Sequence, residues 1–409
     1  MTLKPQVLFI HTNYPAQFRY LVKAYLSKGW DVWFASHTQK HPPLPEINII
    51  QLEKPNVKKS KLESQQHTSL LTFEALLSAK RHQGLNPILT YVHTGWSLGQ
   101  FTKDLFPKTI MIAYSEWWFN LNSSDFHYDP DNIYIHHTQK SRLEMTLRNQ
   151  AYALELQQAD SIVSPTEWQK KQLPKLFRER CSVIFDGIDS GMFSPLSPTS
   201  QIESPFSDIP PDKPLLTYAT RGLEPYRGFP EFAEAIKVLL RNQPDWHIAI
   251  AGQDKVNYYH GSNYPKRGYA SQIFKQLEKD GFGSRVHLLG PLSLKKYRDL
   301  LRRSDLHCYF TRPYVLSWSL IESALTGCRL FCSNTEPVLE FLENDLGSLL
   351  TDHTSPDLGE TLLNYASTAV NNQRESSLSR RSDRNMLVQN VNHQSCVAKH
   401  YSLAKRLLK

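Results

Sequence analysis

Short apolar segments alternate with longer helix-like segments through most of this chain, in two successive series. A strand–helix–strand rhythm predicts a parallel sheet, and near-continuous hydrophobicity within the apolar segments is expected where helices cover both faces of that sheet. The first series therefore predicts an open α/β domain. Its strands are predicted at VLFIH (7–11), DVWFAS (31–36), INIIQ (47–51), ILTYVH (88–93), TIMIAYS (109–115), SIVS (161–164) and SVIF (182–185).

A segment rich in proline and serine separates the two series, between Phe193 and Leu215. These residues oppose helix propagation and sheet pairing, so the segment is interpreted as a linker. Strands of the second series are predicted at LLTYAT (215–220), HIAIAG (247–252), RVHLLG (285–290), DLHCYF (305–310) and RLFCS (329–333). Helices are predicted at FPEFAEAIKVLL (229–240) and LKKYRDLLRRS (294–304), and a polar stretch over 372–392 precedes a last helix.

The predicted fold class is α/β, with two Rossmann-like doubly wound domains facing a central cleft. With 409 residues the chain exceeds the usual size of a single hydrophobic core. The predicted boundaries are an N-terminal domain at 1–195, a linker at 196–213, a C-terminal domain at 214–375, and a tail and helix at 376–409 that packs back towards the first domain. Ligands bind outside the carboxyl ends of such sheets, so the site is expected between the domains.

A net charge of +8 favours anionic partners. Nucleic acid is not predicted as a partner, because its recognition needs clustered basic and aromatic residues, whereas the basic residues here are scattered. The five cysteines are an odd number and three lie in apolar runs, which fits a reducing, cytoplasmic location. The sequence shows neither a signal peptide nor a stretch long enough to span a membrane, so contact with the inner face of a membrane would be peripheral. The oligomeric state is left open.

The stretch YATRGLEPYRGFPEF (218–232) brings two arginines to the end of a predicted strand and the start of a helix. Arg221 and Arg227 each offer a fork of donors, and the dipole of the helix adds positive potential, so the pair suits a diphosphate. The alternative is that both are exposed loop arginines without a ligand.

A second stretch, HCYFTRPYVLSWSLIESALTGCRLFCSNTEPVLEF (307–341), weakens that alternative. Here a strand ends at Thr311, and Ser317 is predicted to cap a helix that carries Glu322 on its second turn. The start of this helix supplies backbone amides for phosphate, and Glu322 is placed where a carboxylate could bind two ribose hydroxyls.

Together, R-G-x4-R-G and the helix ending in E-S-A-x-x-G-C resemble family 4 of the retaining glycosyltransferases with the GT-B fold. The resemblance covers roughly residues 5 to 350. Further matching segments are HTNYPAQFR (11–19), YVHTGW (91–96), IAYSEWWF (112–119), ADSIVSPTEWQKKQLP (159–174), VIFDGID (183–189), IAGQD (250–254) and VLSWSLIE (315–322).

The resemblance implies that the N-terminal domain binds the acceptor and the C-terminal domain binds a nucleotide sugar. Arg221 and Arg227 would stabilise the departing nucleotide diphosphate, which is the function that a divalent metal serves in the other glycosyltransferase fold. His93 would line the sugar pocket, and Glu116, at the end of a strand, is predicted as a functional acid beside it. Residues implied to bind the donor are Glu322, Tyr314, Ser317, Leu316, Gln17, Asn13 and Asp254.

The chain departs from the family pattern at three points. Tyr314 stands where the family has the first glutamate of E-x7-E, and a tyrosine can hydrogen-bond a sugar but supplies no carboxylate. Arg227 replaces the commoner lysine, which keeps the charge and changes the geometry. The first loop has Tyr14-Pro15-Ala16 in place of the usual glycine pair.

The expected function is retaining, metal-independent transfer of a sugar from a UDP- or GDP-linked donor to a glycan or lipid-linked acceptor, with no cofactor. Two alternatives stay open: a binding protein with impaired catalysis, suggested by Tyr314, and a sugar-nucleotide epimerase of related fold. Trp117, Trp118 and Phe119 form either a sugar platform or, more in keeping with their position beside a strand, part of the core.

No metal site is predicted from the sequence. Asp129-Pro130-Asp131 resembles a D-x-D metal motif but lies in a polar loop rather than at the end of a buried strand. The adjacent His136 and His137 point in different directions in regular structure, which makes a poor metal pair. Cys328 and Cys332 with His307 lack the second Cys/His pair of a zinc site.

Overall fold

The computed structural model of the chain describes residues 4–39, 42–55, 61–120, 124–135, 138–195, 206–257, 264–342, 347–371 and 385–409. It divides into two compact units. The first comprises residues 1–123, 138–187 and 391–409, and the second comprises residues 188–390 together with 124–137. The division therefore falls after Gly187 rather than at the predicted residue 195, and the last helix belongs to the first unit.

The sheet of the first unit is parallel, with the order β5-β3-β1-β6-β7-β8-β9 among the described residues. Its strands are β1 (Gln6–Ile10), β3 (Asp31–Ser36), β5 (Ile47–Gln51), β6 (Leu89–His93), β7 (Ile110–Tyr114), β8 (Ser161–Ser164) and β9 (Cys181–Val183). A small separate pair consists of β2 (Asn13–Tyr14) and β4 (Thr38–Gln39). Strand β1 is buried almost throughout, because helices cover both faces of this sheet.

The sheet of the second unit is also parallel, with the order β12-β11-β10-β13-β14-β15. Its strands are β10 (Leu215–Gly222), β11 (His247–Gln253), β12 (Val286–Gly290), β13 (Leu306–Tyr309), β14 (Leu330–Ser333) and β15 (Ser348–Thr351). This is the strand order of a doubly wound nucleotide-binding sheet, so the predicted fold class is confirmed. The sequence patterns did not predict β15 or the short β2 and β4.

Helices connect the strands in both units. They are α1 (Arg19–Ser27), α2 (Lys61–Gln83), α3 (Thr102–Leu105), α4 (Ser124–His127), α5 (Gln139–Gln158), α6 (Glu167–Lys171), α7 (Lys175–Arg178), α8 (Phe229–Asn242), α9 (Tyr269–Lys279), α10 (Leu294–Arg303), α11 (Trp318–Thr326), α12 (Glu336–Leu339), α13 (Leu358–Asn371) and α14 (His393–Leu407). Within the described residues, none of these helices is both long and apolar enough to cross a membrane.

The predicted linker is only partly a linker. Its residues 196–205 lie outside the described residues, as do 372–384 of the predicted polar stretch. Phe206 and Ile209, by contrast, are buried in an apolar cluster of the second unit with Leu215 and Ala219. The prolines around them end regular structure, but the two apolar side chains still gain by burial, so this part of the segment packs against the sheet.

Candidate active site

The carboxyl ends of β10 and β13 bound a pocket in the second unit. Chain order reverses between these two strands, because β10 is followed outwards by β11 on one side and by β13 on the other. Such a switch point leaves a crevice in which ligands of open α/β sheets bind. The crevice holds about 220 Å³, including solvent at its mouth. Its lining consists of Tyr218, Ala219, Thr220, Arg227, Cys308, Tyr309, Phe310, Ser317 and Ser319.

Arg227 is the basic group of this pocket, and it is only 6% exposed. Its Nη1 donates to Thr311 Oγ1 at 2.8 Å, and its carbonyl accepts from the Tyr218 hydroxyl at 2.6 Å. The turn that carries it ends at Gly228, whose φ of 63° is in the left-handed region. A Cβ there would lie 2.6 Å from Cβ of Phe310, so only glycine lets the turn approach β13 this closely.

The N-terminus of α11 contributes the opposite wall. Ser317 caps this helix as predicted: its Oγ accepts from the backbone N–H of Ser319 at 3.3 Å, and its own N–H donates to the Tyr309 hydroxyl at 3.2 Å. Ser317 and Ser319 both line the pocket with Arg227. A guanidinium and the positive end of a helix therefore converge on one crevice, which is a binding arrangement for phosphate.

A further buried arginine, Arg312, was not predicted from the sequence and does not line the pocket. It lies three residues beyond the end of β13 and is 2% exposed, with its guanidinium 5.2 Å from the ring centre of Tyr128 and 5.8 Å from that of Tyr226. Its Nε donates to the Asp125 carbonyl at 3.4 Å. Burial lowers its pKa, but guanidinium groups stay protonated at neutral pH, so the positive charge persists. The sequence feature that could have identified Arg312 is its position just after a predicted strand. The Tyr128 ring beside it comes from a distant part of the chain.

Residues 124–135 supply those surroundings, although their neighbours in the sequence belong to the first unit. Asp125 is buried and accepts from the Tyr226 hydroxyl at 2.9 Å. Asn132 Nδ2 donates to Asp129 at 2.7 Å and to Glu231 at 3.2 Å. Asp129 thus stabilises its own loop. Burial raises the pKa of Glu231 to about 7.

Four other residues of the second unit that were predicted for the donor site do not line this pocket. Arg221 is the last residue but one of β10, next to Thr220 in the chain, and its side chain is exposed. Glu322 is 6% exposed on α11, and Leu316 is also buried. Tyr314 is half-buried, with its ring 5.5 Å from that of Tyr226 in an edge-on arrangement. The structure thus joins Arg227 with Ser317, and the donor roles of the other four stay predictions.

Asp254 has a contact that its sequence motif did not indicate. Its carboxylate accepts the backbone N–H groups of Ala270 at 2.9 Å and of Ser271 at 3.0 Å, and the Ser271 hydroxyl at 2.6 Å. These amides belong to the first turn of α9, whose N-cap Gly268 has no side chain to accept them. Asp254 therefore caps a helix from a distance, and its role in donor binding stays a prediction.

The switch point of the first unit, between β1 and β6, carries a different set of groups. The rings of His11 and His93 lie 4.5 Å apart, edge to face. Glu116, just beyond β7, has its Oε2 3.7 Å from His93 Nε2, and its Oε1 accepts from Gln17 Nε2 at 3.0 Å. Three predicted site residues, His93, Glu116 and Gln17, are therefore brought together, as expected for residues that follow adjacent strands.

His93 is neutral at physiological pH. It is 2% exposed, and burial lowers its pKa to about 4. Its Nδ1 lies 3.1 Å from Trp96 Nε1 and 3.1 Å from the Thr94 carbonyl. Both contacts cannot be hydrogen bonds in one tautomer. An indole N–H only donates, so we assign Nδ1 as its acceptor, which leaves the proton on Nε2, facing the Glu116 carboxylate.

The loop after β1 has Tyr14-Pro15-Ala16 where the family has a pair of glycines, and one of these residues adopts a backbone conformation that favours glycine. Ala16 adopts a φ of 43°, a left-handed conformation that costs a residue with a Cβ about 1–2 kcal/mol. The Asn13 side chain is used within the loop: its Oδ1 accepts from Thr38 Oγ1 at 2.5 Å, and the backbone N–H of the same residue donates to His11 Nδ1 at 2.8 Å. The contact of Asn13 with a donor stays a prediction.

The tryptophans that follow Glu116 belong to the packing of the first unit. Trp117 is 2% exposed, and Trp118 packs against Phe177 with ring centres 5.8 Å apart. Of the two interpretations made from the sequence, the structure supports the core. The five cysteines are free and buried, and the described residues contain no group of three or more side chains arranged to hold a metal. His136 and His137 lie outside the described residues.

The fold and the basic crevice define a two-unit nucleotide-binding protein of the GT-B type. Two family models match the chain: "Glycosyl transferase family 4 group" over residues 28–193 and "Glycosyl transferases group 1" over residues 200–375. The chain belongs to these glycosyltransferases, and the resemblance inferred from its motifs is confirmed. Among curated protein sequences, none matches it significantly.

Solved structures share the fold across nearly the whole chain. Sucrose-phosphate synthase from Thermosynechococcus elongatus is similar with a TM-score of 0.73 at 14% identity, and the match covers 99% of both chains. A glycosyltransferase from Rickettsia africae gives 0.70 at 13% identity, with 99% of both chains covered. Anabaena HepE, solved with UDP-glucose, gives 0.68 at 13% identity, covering 97% of this chain and 99% of its own. At these identities the likeness concerns the fold.

Proposed function

We propose that this glycosyltransferase moves a sugar from a UDP- or GDP-linked donor onto a glycan or lipid-linked acceptor, with retention of anomeric configuration and without a metal ion. The observation that carries the proposal is the crevice where Arg227 and the N-terminus of α11 meet at the switch point of the second sheet. The complexes of HepE with UDP and with UDP-glucose support this class of donor. WaaG, a glycosyltransferase involved in lipopolysaccharide biosynthesis, shares the fold and supports a glycan-type acceptor.

The positive charge of this region serves the leaving group. Arg227 and Arg312 are buried, and desolvated guanidiniums stabilise developing charge more than exposed ones do. Arg221 is exposed near the end of β10, one of the strands that bound the pocket, and it adds to the positive electrostatic potential there. Because these groups supply cationic stabilisation, the transfer does not require a divalent ion. Activity that survives complete chelation with EDTA supports this, and activity restored only by Mg²⁺ or Mn²⁺ overturns it.

Retention follows from transfer on one face of the sugar. The bond between the anomeric carbon and the phosphate oxygen breaks, and the acceptor oxygen bonds to that carbon from the same side. The acceptor proton goes to the departing phosphate oxygen, so no separate enzymic base is needed. Proton NMR of the first product formed distinguishes the outcomes, since inversion changes the coupling constant of the anomeric proton.

Thermal stabilisation by nucleotides tests the donor site without knowledge of the acceptor. A nucleotide at about 100 times its Kd adds about 2.7 kcal/mol to the free energy of unfolding. We expect UDP or GDP, alone and as a sugar conjugate, to raise the Tm of the wild type. We expect a much smaller rise in Arg227→Ala, which removes the guanidinium charge. Arg241→Ala, an exposed change on α8, is the matched control. If no nucleotide raises the Tm of the wild type, the proposal is wrong.

The other functions suggested by the sequence give different products. A binding protein would be stabilised by the nucleotide sugar but release no sugar from it over hours. An epimerase would convert the donor into a second nucleotide sugar without acceptor. A transferase is expected to show slow hydrolysis of the donor and no epimer, which chromatography of the nucleotide sugars resolves.

We place the activity in the cytoplasm, at or near a membrane surface. The buried, free thiols of all five cysteines and the net charge of +8 support this placement. Fractionation of cells at low and high salt tests this, because a protein held by charge is released from membranes as ionic strength rises.

A further inference from the structure

Trp96 is a large aromatic side chain held half in solvent beside His93. Half of its surface is exposed, whereas Thr94, Ser97 and Leu98 around it are 2% exposed or less. Its indole N–H bonds to His93 Nδ1, so the direction of the ring is set. A largely buried loop that holds a large apolar ring at the surface indicates that the ring has a ligand.

Hydrogen bonds and close packing tie the loop that carries Trp96 to its surroundings. Glu155, fully buried on α5, accepts the backbone N–H of Gly95 through one oxygen and that of Gly99 through the other, both at 2.8 Å. The N–H and the hydroxyl of Thr94 both donate to the Tyr114 carbonyl. A Cβ on Gly95, whose φ is +92°, would fall 2.0 Å from the Tyr152 ring. A ring on such a loop loses little entropy when it binds.

Ser97 adds evidence of a constrained loop. Its φ of 62° is positive although it carries a side chain, and it is fully buried. Strained backbone of this kind persists where the surroundings hold it and is concentrated at functional sites. The strain lies next to the exposed ring, so the neighbours of Trp96 are held in place at an energetic cost.

Polar groups beside the ring suit a hydroxyl. His93 Nε2 is buried and has no hydrogen-bond partner within the described part of the chain. It faces Glu116 Oε2 at 3.7 Å, which is too long for a hydrogen bond. A hydroxyl oxygen placed within hydrogen-bond distance of both atoms would accept from Nε2–H and donate to the carboxylate. A pyranose combines such hydroxyls with an apolar C–H face.

We propose that Trp96 stacks on a pyranose ring whose hydroxyl bridges His93 Nε2 and Glu116 Oε2, forming a sugar subsite in the first unit. This rests on the proposed transferase function and identifies the ligand as a neutral sugar ring presenting its C–H face. The ring belongs to either the acceptor or the donor, and both sources share this chemistry. Gln17, bonded to the other oxygen of Glu116, orients the carboxylate.

Indole N–H signals of ¹⁵N-tryptophan-labelled protein test the subsite without activity. The Trp96 signal is assigned with Trp96→Phe, and Trp30, which packs on Tyr25 in the same unit, serves as internal control. The probes are methyl glycosides of glucose, galactose, mannose and N-acetylglucosamine, then UDP, UDP-glucose, GDP and GDP-mannose. A Trp96 shift with a methyl glycoside identifies an acceptor-type sugar. A shift with a nucleotide sugar but not with its nucleotide identifies the donor sugar. No shift with any sugar overturns the proposal.

Two variants separate stacking from an indirect effect through His93. Saturation-transfer NMR on the sugar that binds is compared between Trp96→Phe, which keeps a ring and loses the N–H, and Trp96→Ala, which loses both. Stacking predicts that Trp96→Ala weakens binding about tenfold and Trp96→Phe much less. Equal weakening in both variants means that the indole N–H acts on His93 and overturns the stacking role.

Thermal stabilisation by UDP or GDP distinguishes failure of this proposal from failure of the proposed function. It should persist in both Trp96 variants and in Trp30→Phe, which also shows that the variants are folded. If nucleotide stabilisation persists and sugar shifts are absent, the subsite is wrong and the transferase function stands. If the nucleotides stabilise neither the wild type nor any of the variants, the proposed function is wrong.

Discussion

The two units use closely related parallel sheets and place very different chemistry at their switch points. In the second unit the crevice is cationic, with Arg227 buried in it and Arg312 buried beyond the next strand. In the first unit the corresponding position holds a neutral imidazole, His93, beside the carboxylate of Glu116. A cationic crevice suits a diphosphate, whereas neutral donors and a carboxylate suit hydroxyls. The same architecture therefore presents groups that suit a diphosphate in one unit and groups that suit hydroxyls in the other, according to a few side chains at strand ends.

The largest effect is expected at Arg227. Removing a buried group that stabilises transition-state charge typically costs about 10²–10³ in kcat. Arg227→Ala is therefore expected to lower kcat at saturating donor by that factor, whereas Arg241→Ala leaves it unchanged. Steady-state kinetics with the donor found by thermal stabilisation provide the measurement. A loss of less than about threefold, in protein with wild-type melting behaviour, would mean that the two switch points do not differ as proposed.

A fall in pH is expected to destabilise the first unit, because it protonates the buried His93. Its pKa of about 4 in the folded state lies below the unfolded value of 6.5. The neutral ring therefore stabilises the fold fully above pH 6.5, and this contribution is lost as pH falls from 6.5 through 4. Burial of this histidine predicts that the wild type loses roughly 2–3 kcal/mol more than His93→Gln between pH 7.5 and 4.5.

Urea unfolding at the two pH values measures this difference, with exposed His82→Gln as control. The comparison of wild type with each variant cancels the other buried histidines, which titrate in both. Parallel pH curves for wild type and His93→Gln would show that the pKa of His93 is the same in the folded and the unfolded protein, so that burial does not lower it.

Glu155 allows a test of the loop beneath Trp96. Both of its oxygens accept backbone N–H groups, so Glu155→Gln turns an NH₂ towards one of them and leaves a buried amide unpaired, at a cost of about 1–3 kcal/mol. Burial raises its pKa to about 7, above its ordinary value of 4.5. The protonated carboxyl of Glu155 therefore stabilises the fold fully below pH 4.5, and this contribution is lost as the pH rises through 7.

Glu155→Gln should therefore lower stability most at acidic pH and remove the part of the pH dependence between 4.5 and 7. Urea unfolding at about pH 5 and about pH 8 measures this, with exposed Glu74→Gln on α2 as control. If wild type and Glu155→Gln show the same slope of stability against pH, the carboxyl does not titrate in that range.

The smallest effect is expected at Asp254, which caps α9 in the second unit. Asp254→Ala should cost about 1 kcal/mol of stability, the usual value for a lost helix cap. If capping is its whole role, the Kd for the nucleotide changes by less than about twofold, as for a site away from the ligand. Exposed Asp280→Ala serves as control. A tenfold weaker Kd would instead uphold the donor contact predicted from the sequence.

Local pattern determined the fold class, most of the strands and the capping of α11 by Ser317. Each of these depends on residues close together in the chain: apolar runs bounded by turns, and a serine before a helical segment. The same reasoning found Arg227, because residues after adjacent parallel strands meet at one edge of the sheet. It also brought His93 and Glu116 together for that reason.

Tertiary packing alone decided which side chains stay exposed and which are buried or engaged. Arg312 contacts Asp125 and Tyr128, which lie more than 180 positions earlier in the sequence. Asp254 accepts hydrogen bonds from the first turn of α9, which follows a segment outside the described residues. Trp96 is exposed while Trp117 is buried, although both are tryptophans just after strands. Burial depends on contacts between distant segments, and these contacts leave no periodic signal in the sequence near the residue they enclose.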